Sequence, residues 1–237
     1  MSSDSHPTAG DTTEADDSWQ LPRGRHKLSR KFVTDHQRQR LLMGAAQALS
    51  EHHYAALSVE HIHKQAGVSR TTFYEHFDNK RDCMLVAHEE AFDRLAAVLV
   101  RACAGQREWS AKVMVATGAA IDFAIQTPEQ ARLLVPEAIA VDSVMIERVI
   151  ASTDFLVGLL RNGREQCPSA AVLPELTERA LIGAVASMIG RRLLADQVES
   201  LPALAPQLTQ LLLIPYLGTQ EAARVAKLTP RPPDLTR

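Results

Sequence analysis

Apolar residues recur three and four positions apart over most of the chain, and no stretch alternates with the period of two that a half-buried strand needs. Leu41, Leu42, Ala45, Ala46 and Leu49 make one such stripe. It predicts a first helix that starts at Thr34, where Thr34 and Gln37 have the spacing of a capping box, and that fades near His52-His53-Tyr54. Ser58 suits the N-cap of a second helix, with Glu60 in its first turn and Val59, Ile62 and Ala66 inside. Gly67 supplies a turn at positive φ, and Ser69 caps a third helix. Phe73 and Phe77, four apart, point inwards and leave Arg70, Thr71 and Tyr74 on other faces. Asp78 or Asn79 caps a long fourth helix over residues 80–104.

The remainder also reads as helix. Segments are predicted over 109–126, 129–134, 136–141 and 143–166, the first ending before Pro128 and the last before Pro168. Pro174 opens the next, to about 197, because proline suits a first helical position. A final helix covers 203–217, with Pro215 ending or kinking it. The fold class is therefore all-α, and the length suits one large domain or a small domain joined to a larger one. The expected organisation is an acidic segment and basic arm over 1–31, a small domain over 32–82, a larger domain over 83–228 and a loose tail over 229–237.

Charge sharpens this picture only when it is read by segment. Residues 1–20 carry five acids and no Lys or Arg, which with their Ser and Thr content predicts disorder. Residues 21–82 carry eleven Lys and Arg against six acids and seven of the nine histidines. That surplus is what phosphate binding requires, although an ordinary solvated face would carry it too. Three distant cysteines, Cys83, Cys103 and Cys167, offer no zinc spacing and suit reduced thiols in a cytoplasmic protein. The start is not a signal peptide, and the longest uncharged apolar stretch, 180–190, is too short for a bilayer.

Two short helices joined at Gly67, the second polar and basic on its outer face, have the build of a helix-turn-helix. Ala66-Gly67-Val68-Ser69, Thr72-Phe73-Tyr74, His76-Phe77 and Lys80 together resemble the DNA-binding signature of the TetR family of bacterial regulators. The resemblance is good over 34–82 and fairly specific. It implies a recognition helix that begins at Ser69, with Arg70 and Thr71 at the end that reaches base edges. Ser58, Ser69, Thr72, Tyr74, His76 and Lys80 are then expected at the DNA, mostly on its backbone. Arg23, Arg25, Lys27, Arg30 and Lys31 form an arm that suits a minor groove or a solubilising tail equally well. Two positions depart from the family pattern: His53 stands where glycine is common, and His63 where a small apolar residue is usual.

For the larger domain the resemblance implies dimerisation and a small-molecule site. Ala180, Gly183, Ser187 and Gly190 make a stripe of small residues, and Leu204, Leu208, Leu211 and Leu212 an apolar one. Two such helices from each of two subunits would build a four-helix interface, while the alternative packs both stripes within one subunit. Met114, Phe123, Met145 and Phe155 are candidate pocket residues on central helices, where structural core is the competing account.

The expected function is a one-component transcription regulator, a repressor by preference. It would bind a palindromic operator on double-stranded DNA as a homodimer and release it on binding an unidentified effector. A DNA-binding dimer that answers to a protein partner, or to nothing, is the second possibility. A helical enzyme is the third and weakest, because no phosphate loop, GxSxG, HExxH or paired carboxylate frame occurs. No catalytic residue, cofactor, metal site or membrane partner is expected.

Overall fold

The computed structural model describes residues 30–135 and 143–228. Among these residues the chain forms α1 (Arg30–Glu51), α2 (Val59–Gln65), α3 (Arg70–His76), α4 (Lys80–Cys103), α5 (Trp109–Gln126) and α6 (Pro128–Leu133). After 136–142, which lie outside the described residues together with the helical piece expected at 136–141, come α7 (Ser143–Arg161) and α8 (Gly163–Gln166). A 3-10 turn (Pro168–Val172), α9 (Thr177–Leu194), a second 3-10 turn (Val198–Leu204) and α10 (Ala205–Ala226) complete the chain. There is no strand among the described residues.

The first three helices surround Leu41, Ala45, Leu49, Ile62, Phe73 and Phe77, and α4 adds Cys83, Met84 and Ala87 to the same core. α2 crosses α1 at Gly44, where a Cβ would lie 2.7 Å from the Ala66 nitrogen and 2.9 Å from the Ile62 carbonyl oxygen. No larger residue permits that crossing. Leu133 of α6 and Met145 of α7 extend this core towards the larger domain. There, α5 runs through two further clusters. Trp109, Val113 and Met114 pack with Leu212, Leu213 and Tyr216, and Ile121 and Phe123 pack with Leu193, Leu201 and Leu208.

A buried polar knot fastens the far end. Glu178 is fully buried and accepts from both the Nε (2.6 Å) and Nη2 (2.9 Å) of Arg164 and from the Tyr216 hydroxyl (2.8 Å). Burial pushes the Glu178 carboxyl up, but these donors outweigh it and hold it at about 2. Burial and the carboxylate push the Tyr216 phenol up.

Several boundaries differ from expectation. α1 begins at Arg30, so Thr34 lies inside it and does not cap it. The 143–166 segment breaks at Asn162 into α7 and α8. Pro174 stands in the turn before α9, whose first residue is Thr177. α10 continues past Pro215, and the deviation falls at Gly218, with φ 75° and ψ 168°. A proline removes one N–H from the ladder, whereas the backbone at Gly218 leaves the helical region altogether.

Candidate nucleic-acid interface

The site is built from its caps outward. The Ser58 hydroxyl accepts from the His61 amide (3.3 Å) and starts α2. The Ser69 hydroxyl accepts from the Thr72 amide (3.0 Å) and starts α3, with the Thr72 hydroxyl 2.9 Å away. Asn79, not Asp78, caps α4 by accepting from the Asp82 amide (3.0 Å). Between α2 and α3, Gly67 adopts φ 60°, and its carbonyl accepts from Arg40 of α1 at 2.9 Å. His63 Nδ1 donates to the Val68 carbonyl (3.1 Å), so this ring braces the turn. His53 holds no left-handed conformation. The turn after α1 closes instead through Ala56 and Leu57 amides that donate to the His53 carbonyl, with the His52 and His61 rings stacked 4.1 Å apart.

α3 is held by one face and free on the other. Phe73 and Phe77 are buried and pack ring to ring at 5.7 Å. Arg70, Thr71 and Tyr74 are exposed, and Tyr74, at 48% exposure, packs edge-on against Phe73 at 5.4 Å while the rest of its ring faces solvent. The Arg70 guanidinium lies 5.7 Å from the Tyr74 ring centroid, which aligns the two side chains along the open face. Thr72 and His76 are half-buried beside them. The expected DNA set is thus brought together on α3, with Ser58 at the start of the neighbouring helix.

Lys80 is the exception. Its ammonium donates to the Tyr54 (2.9 Å) and Leu57 (2.8 Å) carbonyls and sits 4.4 Å from the Tyr54 ring centroid. Burial pushes its pKa down. Lys80 therefore staples the α1–α2 loop to the start of α4, and its ammonium is engaged within the protein rather than held on the open face of α3. Much of the basic surplus is spent in the same way. Arg38 pairs with Glu90, Lys64 with Glu60, and Arg40 holds the Gly67 carbonyl. Arg23, Arg25 and Lys27 lie outside the described residues, while Arg30 and Lys31 fall in the first turn of α1. Gly44, Arg40 and the Arg38–Glu90 pair carry no signal in the sequence, because each matters only through a partner far along the chain.

Residues 41–87 match the family model for bacterial regulatory proteins of the tetR family. The helix-turn-helix segment of this chain is thus similar to that of tetR-family regulators. Other similarity is more distant. A curated relative, the HTH-type transcriptional activator FasR of Mycolicibacterium smegmatis, is 25% identical over 113 residues, which are 48% of this chain and 52% of that protein. The chain thus spans about half the length of the curated relative it matches. Among solved structures, the fatty acid degradation regulator FadR of Bacillus halodurans superposes with TM-score 0.66 at 22% identity, covering 75% of this chain and 94% of that one. FadR of Bacillus subtilis, solved in complex with stearoyl-CoA, gives TM-score 0.61 at 19% identity, covering 76% of this chain and 98% of that one. These two share the fold of this chain through the larger domain.

In that larger domain the TetR-like expectations fare unevenly. Ala180 and Gly183 are exposed on α9 and Ser187 is half-buried, but Gly190 faces inward, where a Cβ would lie 2.9 Å from Val135. Leu204 and Leu211 are half-buried, whereas Leu208 and Leu212 are buried in the subunit's own core. Gly190, Leu208 and Leu212 are therefore corrected from interface to core. The apolar stripe on α10 is wide enough that most of it packs on α5. Met114, Phe123 and Met145 are likewise core residues, and only Phe155 stands near open space, edge-on to Phe92 at 5.8 Å. The cavity next to that pair is an open cleft of about 380 Å³ between α4 and α7, and its lining includes His88, Glu89, Phe92, Arg148 and Ser152. No helix among the described residues is long and apolar enough to cross a membrane.

Proposed function

We propose that the protein is a transcription regulator that binds a palindromic operator as a homodimer and whose DNA affinity is set by a small amphipathic effector. The observation that carries the reading is α3. It is a short helix locked from beneath by Phe73 and Phe77, and it offers Arg70, Thr71 and Tyr74 to solvent. A helix so placed fits the major groove, where Arg70 can pair bidentately with guanine, while Thr71 and Tyr74 meet a thymine methyl or a phosphate. The exposed faces of α9 and α10, with Ala180, Gly183, Met188 and Ile214, support the dimer, because small residues let a second backbone approach closely. Two recognition helices related by a two-fold axis read half-sites about 34 Å apart.

The α4–α7 cleft supports an effector with a polar end, and the Phe92–Phe155 pair supports an apolar one. Stearoyl-CoA, the ligand in the Bacillus subtilis FadR structure, is amphipathic in this sense and is the first probe to use. Repression is the direct outcome of a dimer seated across a promoter. The Mycolicibacterium smegmatis relative is named an activator, and a reporter fused to the bound promoter separates the two outcomes.

Selection of bound duplexes from a random pool tests the whole reading. A discrete palindrome protected by a dimer supports it. Diffuse protection supports an architectural role, and no binding at low ionic strength ends it.

A further inference from the structure

Three consecutive residues of α4 hold three different neighbours. Successive positions on a helix point about 100° apart, so a run of three can reach in three directions. His88 reaches α6 and α7: its Nδ1 lies 2.9 Å from the Leu133 carbonyl oxygen and its Nε2 lies 3.2 Å from the Ser152 hydroxyl. Glu89 pairs with Arg148 of α7 at 2.8 Å. Glu90 turns to the DNA-binding domain, accepting from Arg38 (2.6 Å) and from Gln39 (3.1 Å) of α1.

Of these links, the one at His88 is the most sharply defined. The ring is 2% exposed, and burial pushes its pKa down, which keeps it neutral. A carbonyl only accepts, so Nδ1 carries the hydrogen and Nε2 is bare. The Ser152 hydroxyl must then be the donor to Nε2. If Ser152 turns away, a buried acceptor is left without a donor, a state that packed interiors avoid. The Glu89–Arg148 pair is largely exposed and is a weaker tether. Ser152 and His88 both line the α4–α7 cleft, so a polar group entering it competes for the serine hydroxyl.

We propose that His88 is the positioning residue through which the placement of α7 is read by α4 and passed, by way of Glu90, to α1 of the DNA-binding domain. The proposal rests on the reading of the protein as a DNA-binding regulator. Occupancy of the cleft breaks the Ser152–His88 bond, α4 resettles against α6 and α7, and the Glu90 clasp on Arg38 and Gln39 carries the shift to the helix that supports α2 and α3.

The test is a set of full-length variants titrated against the duplex selected by the wild type. Ser152→Ala, which touches no DNA-binding residue, is expected to change DNA affinity by roughly threefold or more, the scale of coupling between separated sites. Ser152→Thr keeps the hydroxyl and should behave as wild type. In a His88→Phe background, which keeps a ring of similar size, Ser152→Ala should have no further effect. The dependence of affinity on salt should be the same in all variants, because no phosphate contact is lost. Wild-type affinity in Ser152→Ala, or effects of the two substitutions that simply add, would overturn the role given to His88 and leave the regulator reading intact. A wild type that selects no duplex would overturn the regulator reading and the role of His88 together.

Discussion

The ammonium of Lys80 donates to the Tyr54 carbonyl at 2.9 Å while lying over the Tyr54 ring, 4.4 Å from its centroid. One residue at the start of α4 thus ties down the loop that joins α1 to α2. Lys80→Met should remove two charge-assisted hydrogen bonds and lower stability by about 1.5–3 kcal/mol, read as a fall in Tm. Its salt slope for DNA binding should equal that of the wild type. A slope reduced by one contact would show that Lys80 also meets a phosphate.

Arg70→Ala should act on specificity. The side chain is exposed and supports no core contact, so the variant should fold as the wild type does. Preference at a single base position in each half-site should relax by about 1–3 kcal/mol when binding is profiled on single-base operator variants. Uniform weakening across all variants would reassign Arg70 to the backbone.

Phe73→Ala should act on the platform. Phe73 is fully buried between α1, α2 and α3, and its truncation should cost about 3–5 kcal/mol. The small domain is expected to lose its cooperative unfolding transition, and DNA binding with it. A variant that binds DNA normally would show that α3 does not depend on this core.

Acid should unfasten the larger domain through Glu178. Its folded pKa of about 2 lies below the ordinary glutamate value of about 4.3. A depressed carboxylate contributes stability that is fully present above the ordinary value and is lost as pH falls through the folded one. Stability should therefore decline between about pH 4 and about pH 2. Glu178→Gln should flatten that decline and lower stability at pH 7, since Arg164 is left without its counter-charge. An unchanged acid profile in the variant would assign the acid transition to other carboxylates.

Gly67→Ala tests the turn. The residue adopts φ 60°, and a Cβ there would lie 2.5 Å from Nη2 of Arg40. The substitution should cost about 1–2 kcal/mol from backbone strain alone. It should also weaken DNA binding by displacing the start of α3.

Local chemistry made the helix-turn-helix readable from the chain. Ser58, Ser69 and Asn79 cap the helices that follow them, Gly67 takes the left-handed turn, and Phe73 and Phe77 turn inwards. Each of these depends on residues within four positions, where spacing alone carries the information. The larger domain was legible only as helix. An apolar stripe on a helix says that one face is covered but not by what. Leu208 and Leu212 are therefore seen as core, and Ala180 and Gly183 as surface, only once α5, α9 and α10 are placed.

The sequence by itself determined the helical class, the caps and turn of the helix-turn-helix, and the face of α3 that carries Arg70, Thr71 and Tyr74. Tertiary structure alone decided where the cations go: Lys80 to the Tyr54 and Leu57 carbonyls, Arg38 to Glu90, Arg40 to Gly67. It also placed His88 between Leu133 and Ser152. The reason is reach. A cap or a turn is satisfied by its own neighbourhood, whereas a long side chain finds whichever buried acceptor the packing of distant helices presents to it.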